Sequence, residues 1–518
     1  MVSPLGGLAI VEMHSKIQTI ESLTSSLESV RAEGKSVVLC HGVFDLLHPG
    51  HIRYFSAAQG MGDVLVVTLT ADEFVDKGPG RPAFTETLRA EAVAALEVVD
   101  FVAVVEDASA LPAIEVVQPN VYVKGGEYAD PSTDATGRIV DERLLVEAYG
   151  GRIEFTDEAT FSSSTLINAF FPQHSAPLRE SIQRLNEDYG IDEVMHWLDG
   201  LSALQILVVG ETILDVYTEC EALGKASKEP VLCMNRNSSE THAGGALAVA
   251  GHCSGLGAEV SLISGLHSSD LSHSVVKQIQ AQGIHTTFIE TDPRRTIRKE
   301  RIIDSNTQAR VLELYSMDDE PLEDQAQEDL LSTIRQQAAA YDAVVVADFG
   351  HGFMHDRVIE LLAEESCWLA VNAQANAGNH GFNSIQRYPR ADFVTLNGNE
   401  ARLEARRRHI DFDSYIPRLC EILEAQAVLV TQGAAGLDIY RSVGDVTRSP
   451  AMAPFVKDRV GAGDAVLAVT SMLTNLGAPT AIIGFIGNLV GAWAVSFLGN
   501  QRIMDIGTLK RQVVATLK

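Results

Sequence analysis

The stretch His41-Gly42-Val43-Phe44-Asp45-Leu46-Leu47-His48-Pro49-Gly50-His51 decides the fold of the N-terminal third of the chain. It follows the apolar run Ser36-Val37-Val38-Leu39-Cys40, which reads as a buried parallel strand, and leads into Ile52 to Ala58, whose apolar spacing is helical. The element is therefore a strand, a turn and a helix start. His48 and His51 lie three apart where the helix begins, so both imidazoles fall near one face, and Gly50 between them leaves room for close approach of a ligand. Backbone N–H groups at a helix N-terminus attract anions, and two imidazoles there suit a triphosphate that gains charge in its transition state. A pair of capping or core histidines is the duller alternative.

Outward from this turn, strand and helix signals alternate. A helix is predicted over Ile17 to Ala32, strands over Val64–Leu69, Phe101–Val105, Val121–Val123 and Ile153–Phe155, and a helix over Glu86–Val98. Such alternation predicts an α/β doubly wound parallel sheet, with ligands beyond the carboxyl ends of its strands. Lys124-Gly125-Gly126 follows a strand directly and suits a phosphate contact. Arg81 and Arg89 flank the helix after the second strand, and Ser162 to Thr165 open a further helix. Singly, Arg89 reads equally as a solvated helix face and Ser162 to Thr165 as an N-cap.

Length and composition set the frame. A chain of 518 residues suggests about three domains on length alone. With 40 Lys and Arg against 69 Asp and Glu, a net charge of −29 argues against general nucleic-acid binding, so anionic ligands must be met by local clusters. No run approaches the ~18 apolar residues of a membrane span. The start MVSPLGGLAIVEMHSK does not read as a signal peptide, and a cytoplasmic location is expected. Six scattered cysteines without CxxC spacing read as reduced thiols.

Residues 172–203 read as a helical linker, after a lead-in of 1–34 and a first domain of 35–171; a second α/β domain then runs over 204–518. There Ala343–Ala347, Trp368–Val371, Phe393–Leu396 and Ala427–Thr431 are buried strands ending in Asp348, Asn372, Asn397 and Gln432, which marks the ligand edge of a second parallel sheet. Asp458-Arg459-Val460-Gly461-Ala462-Gly463-Asp464 opens a long apolar helix. Its glycines leave bare N–H groups where a phosphoryl group can rest, and Asp464 can accept a proton from an attacking hydroxyl. A simple helix start is the bland alternative. Gly244-Gly245 suits either a small polyol or tight helix packing.

HGVFDLLHPGH, GPGRP, VKGGEY and FSSSTLI, in that order, resemble the nucleotidyltransferases that include glycerol-phosphate cytidylyltransferase and the adenylyltransferase half of the bifunctional heptose kinase/adenylyltransferases. The resemblance implies that His48 and His51 stabilise the transferring α-phosphate, that Lys124 neutralises charge, and that Ser163, Ser164 and Thr165 hold the outer phosphates. Gly42, Phe44, Gly50, Arg81 and Arg89 complete the expected nucleotide site, with Mg²⁺ accompanying ATP or CTP. Acceptor specificity is expected between Glu127 and Glu154.

GETILD, AGGALAVA, NGNE and VGAGD resemble the ribokinase-like sugar kinases, nearest to the heptose kinase half of the same bifunctional family, whose two halves stand in the opposite order. The resemblance makes Asp464 the base and Gly461, Ala462 and Gly463 the anion hole. Thr431, Gly433 and Gly436 would border ATP, Asp215, Gly244 and Gly245 the sugar, and Asn397 with Glu400 would organise Mg²⁺. Lys299 and Arg301 would meet a phosphate already on the sugar, and Tyr217 to Thr241 would form a small β-lid that pairs two subunits. Four positions depart from the pattern: Glu211 for Asp, Ala248 for Asn, Val460 for Thr, and Asn372-Ala373-Gln374 for Asp-Pro-Lys. The expectation is a bifunctional enzyme that phosphorylates a sugar or sugar phosphate at C1 and then transfers a nucleotidyl group to it. The alternative is a nucleotidyltransferase whose kinase-like domain only binds a sugar or nucleotide.

Overall fold

The computed structural model describes residues 15–126, 138–156, 175–271, 273–292, 296–318, 320–379, 381–442 and 444–517. Ser163, Ser164 and Thr165 lie outside them. The chain forms two compact units, Met1–Ser175 with Lys510–Lys518, and Ala176–Leu509. The helices Ala176–Asp188 and Gly190–Gly200, expected as a linker, count with the second unit.

In the first unit six strands, β1 (Ile17–Gln18), β2 (Val37–Gly42), β3 (Val64–Thr70), β4 (Phe101–Val105), β5 (Val121–Gly125) and β6 (Arg152–Thr156), form one parallel sheet in the order β1-β4-β3-β2-β5-β6. The strand order reverses between β2 and β5, so the switch point of the sheet lies where β2 ends in His41-Gly42 and β5 in Lys124-Gly125. Apolar layers cover both faces: Val38, Cys40, Phe55 and Val67 on one, Leu39, Val66, Ile114 and Tyr122 on the other. That is why β2 and β3 read as unbroken apolar runs. One local expectation shifts. Ile17 lies in β1 beside Val102, and the helix begins only at Ile20, because Thr19 caps it by accepting the Ser22 N–H.

In the second unit a parallel core runs β10 (His285–Glu290), β9 (Glu259–Leu266), β7 (Gln205–Lys225), β13 (Ala343–Asp348), β14 (Leu369–Ala373), β15 (Phe393–Asn397) and β16 (Ala427–Thr431). The hairpin strands β17 (Leu437–Tyr440) and β18 (Val446–Ser449) extend it in antiparallel fashion. β7 does not stop at the core. It continues into a second sheet with β8 (Leu232–Gly245), β11 (Ile297–Asp304) and β12 (Arg310–Ser316). The expected lid is thus four strands, of which β11 and β12 come from TIRKERIID and RVLELYS. Among the described residues no helix is long and apolar enough to cross a membrane.

Candidate active sites

At the first switch point, His48 is the N-cap of the helix Pro49–Gln59, and its Nδ1 accepts the Gly50 N–H at 3.1 Å. A neutral imidazole that accepts at Nδ1 carries its proton on Nε2. His48 Nε2 is buried and has no hydrogen-bond partner among the described residues. The His51 ring stacks on it, centroids 4.0 Å apart and 24° between planes. Burial lowers the affinity of both rings for a second proton, and for His51, with the neighbouring His48 and Lys77 adding to burial, the pKa falls to about 3. Phe44, at φ 48°, sets its ring edge-on to His51 at 5.3 Å and packs on Phe55. Gly42 is needed beneath it, since a Cβ there would come within 3.1 Å of the Phe44 ring.

The two predicted arginines are held by protein. Arg81 Nη1 donates to Asp45 Oδ2 at 3.1 Å, with both side chains buried. Arg89 is 2% exposed and donates to the carbonyls of Val43, Phe84 and Thr70 and to Asp72. Neither guanidinium is arranged as an open phosphate clamp; they fix the loops around the turn. Lys124 Nζ pairs with Glu142 at 2.9 Å and lies over the Tyr122 ring, and its charge reaches His41. Asp45 and Glu142 are the residues that sequence reasoning missed. Asp45 stood within the motif itself, whereas Glu142 gave no local signal.

In the second unit, register pairs set His242, Asp215, Lys299 and Tyr315 side by side across β8, β7, β11 and β12. Lys299 is 6% exposed, and its ammonium lies over the rings of Tyr315 and Phe349 at 5.6 and 5.4 Å. Burial lowers its pKa, while Asp215, Glu211 and Asp464 pull the other way. Arg301 Nη1 donates to Asp215 at 2.5 Å, so of the two predicted sugar-phosphate contacts it is the one already paired within the lid. Gly244 must lack a side chain because a Cβ would lie 2.4 Å from Asp215 Oδ2, and Gly245 because one would meet the Glu211 carbonyl.

Asp464 lies in the first turn of the helix Ala462–Asn475, capped by Gly461 at φ 81°. Burial and the Asp215 charge push its carboxyl up to about 7, against the pull of Asn500 and Lys299. A Cβ on Gly463 would meet nothing within 4 Å, so open space adjoins this part of the helix mouth. Asp458, at the loop's start, accepts from the Tyr217 hydroxyl at 2.7 Å, from the Val460 N–H at 3.1 Å, and from Arg310. It too was quoted in the motif but not assigned.

The departures from the sugar-kinase pattern have local consequences. The buried Glu211 carboxylate accepts the N–H groups of Phe349 and His351 at 3.0 and 3.1 Å, fixing the loop after β13. Burial, together with the nearby Asp348, raises its pKa. Ala248 is fully buried, and Asn372 donates to the Thr395 carbonyl.

At the nucleotide edge Thr431 ends β16, Gly433 has φ 58°, and a Cβ on Gly436 would lie 2.1 Å from the Ser449 carbonyl. Asn397 and Glu400 form a capping box. Asn397 accepts from Asn399 and Glu400 N–H, while the Glu400 oxygens accept from Asn397 at 2.7 Å and from Ala375 at 3.1 Å. Their oxygens already hold backbone donors, and among the described residues no group of three His, Cys, Asp or Glu is arranged for a metal ion. The pair does not fit a direct Mg²⁺ ligand set.

Comparison with known proteins agrees with the two units. The cytidylyltransferase-like family matches residues 39–169, and the pfkB family carbohydrate kinases match residues 203–506. The bifunctional protein HldE of Syntrophotalea carbinolica is 42% identical over 159 residues, 30% of this chain and 31% of that protein. That of Geotalea uraniireducens is 39% identical over 163 residues, 31% and 32% of the two chains. The chain thus spans under a third of the length of these curated relatives, over its N-terminal domain. Among solved structures, phosphofructokinase-2 from Escherichia coli in complex with substrates and products superposes with a TM-score of 0.50 at 15% identity, covering 60% of this chain and 99% of that one, a likeness of fold alone.

Proposed function

The chain belongs to the pfkB family of carbohydrate kinases and carries a cytidylyltransferase-like domain ahead of the kinase, and on that footing we propose a two-activity enzyme of nucleotide-sugar synthesis. The C-terminal unit phosphorylates a sugar or sugar phosphate at C1 with ATP. The N-terminal unit then transfers a nucleotidyl group from ATP or CTP to the sugar 1-phosphate, releasing pyrophosphate. The triphosphates enter as their Mg²⁺ complexes.

The observation that carries the transferase reading is the buried Nε2 of His48, which has no partner among the described residues. With Nδ1 held by the Gly50 N–H, the Nε2 proton has no acceptor among the described residues, and a phosphate oxygen at the switch point would supply one. The acceptor phosphate attacks the α-phosphorus in line, and the P–O bond to pyrophosphate breaks. His48 and His51 meet the charge that builds on the α-phosphate, with Lys124 adding a cation at the end of β5. In the kinase, Asp464 takes the proton of the attacking hydroxyl, and the N–H groups of Gly461 to Gly463 hold the moving phosphoryl.

The test separates the halves. Pyrophosphate release is measured with ATP and CTP over a panel of sugar 1-phosphates, and ADP release with ATP over sugars and sugar phosphates. His51→Ala should abolish the first and spare the second, and Asp464→Asn should do the reverse. ADP release unchanged in Asp464→Asn would sink the kinase assignment. A second reading, binding without turnover, is favoured by one observation: the Glu211 carboxylate holds the loop after β13. It predicts no ADP with any acceptor while sugar or nucleotide still binds.

Pairing of two chains through the lid accompanies this proposal. Among the described strands β12 pairs with β11, and it exposes Leu312 and Leu314. Leu312→Lys with Leu314→Lys should convert a dimer to a monomer in sedimentation; an unchanged mass rejects the lid as the interface.

A further inference from the structure

The segment Gly499-Asn500 grips the phosphoryl loop at both ends. The Gly499 N–H donates to Asp458 Oδ2 at 3.1 Å. Asn500 is buried, and its Nδ2 points to Asp464 Oδ2 at 3.5 Å. The same amide lies directly over Gly461, where a Cβ would come within 2.0 Å of Asn500 Oδ1. One side chain therefore touches both the left-handed cap of the helix Ala462–Asn475 and the carboxyl one turn inside it.

We propose that Asn500 is a positioning residue of the kinase, holding the Asp464 carboxylate in its ionised form beside the glycine turn. This rests on the reading of Asp464 as the base. An amide that donates to a carboxylate favours the ionised state. The other groups whose charge reaches Asp464 are Asp215 on β7, which opposes ionisation, and Lys299 on β11, which supports it. Asn500 supplies a donor without a charge, and so does not compete with Lys299 for an anionic ligand. Its contact over Gly461 also fixes the turn on which Asp464 is carried.

The experiment follows the Asp464 carboxyl directly, by carbon NMR of the full-length chain labelled at aspartate, with Asp464→Asn identifying the resonance. Asn500→Leu, of similar size and without a donor, should raise the titration midpoint of Asp464 by about one pH unit, the size of one hydrogen bond to a charged group. Asn500→Asp, which replaces the donor by a second carboxyl, should raise it further. Circular dichroism melting of both variants checks that the fold is kept. An unchanged midpoint in both, or a lowered one in Asn500→Asp, overturns the proposal. ADP release with the acceptor panel then distinguishes it from the parent reading. Loss of activity in Asp464→Asn with a wild-type pH profile in Asn500→Leu rejects the role of Asn500 alone, whereas full activity in Asp464→Asn rejects the base.

Discussion

Asp45 and Arg81, 36 residues apart, form a buried ion pair at 3.1 Å that ties the histidine turn to the GPGRP loop. Asp45 Oδ1 also accepts the N–H groups of Ala83 and Phe84 at 2.7 and 3.1 Å. The motif Asp is thus the anchor of a second loop rather than a ligand in its own right. Asp45→Ala takes the buried carboxylate away from the Arg81 guanidinium and from the Ala83 and Phe84 N–H groups, a loss of about 3–5 kcal/mol. Pyrophosphate release should fall with it, while ADP release stays at the wild-type level. Urea titration followed by both assays checks this; equal loss of both activities would contradict it.

Arg89 tests the difference between a phosphate contact and a strut. Its donors reach Val43, Phe84, Thr70 and Asp72. Arg89→Lys keeps the charge but loses the fork that reaches three carbonyls, so it should destabilise nearly as much as Arg89→Ala. A phosphate contact predicts instead normal stability with a raised KM for the triphosphate. Thermal melts and KM on the same preparations separate the two.

Gly461 and Gly463 make a pair with opposite expectations. Gly461→Ala meets Asn500 and a positive φ, and should cost stability. Gly463→Ala meets nothing within 4 Å and lies inside a helix, so it should stabilise by about 0.5–1 kcal/mol. On the proposed kinase reading its methyl group would occupy the space assigned to the phosphoryl group, and kcat for ADP release should fall at least tenfold. A stable and fully active Gly463→Ala would remove the anion hole from that position.

Local chemistry was legible in the sequence, and partnership was not. The strand-turn-helix at His41 to His51 and the glycine loop at Gly461 could be read because each works through backbone geometry that a few adjacent residues impose. Arg81, Arg89 and Lys124 read from sequence as phosphate contacts, and nothing local marks their protein partners Asp45, Asp72 and Glu142, which come from other elements. Ile17 extended a helical pattern that Thr19 cuts, since apolar spacing alone does not mark where a cap falls. Half the lid, β11 and β12, lies far along the chain from the stretch Tyr217 to Thr241 expected to form it. The inward residues of β11, among them Lys299 and Arg301, alternate with less buried ones, a period of two that is masked in the sequence because two of the inward residues are cations.

Buried imidazoles make the fold acid-sensitive. His252 is almost fully buried, accepts the Met504 N–H at Nδ1, and has its pKa lowered to about 4 by burial. An unfolded imidazole titrates near 6.5, so between about pH 6.5 and 4 the unfolded chain binds a proton that the native state refuses. Stability is therefore full above that window and falls as pH drops through it, by up to about 2 kcal/mol at pH 5 for this group. His252→Asn keeps an acceptor and removes the titration. Its urea midpoint should change less between pH 7 and 5 than that of the wild type, and a parallel change would reject the assignment.

The charges around Asp464 also predict how phosphorylation responds to pH. Its carboxyl is pushed up to about 7, first by burial and then by Asp215, with Asn500 and Lys299 opposing. A base must be ionised to accept the hydroxyl proton, so ADP release should rise with pH through about 7 and level off above it. Removing the opposing cation in Lys299→Met should move that midpoint upward, so the variant loses most at pH 6 and recovers in part at pH 8. The same ammonium, lying between Tyr315 and Phe349, is the expected contact for a phosphate on the acceptor. Lys299→Met should therefore raise KM for phosphorylated sugars by ten-fold or more and leave KM for neutral sugars unchanged. If KM rises equally for both, Lys299 acts on the base alone, and the acceptor's phosphate must be held elsewhere in the lid.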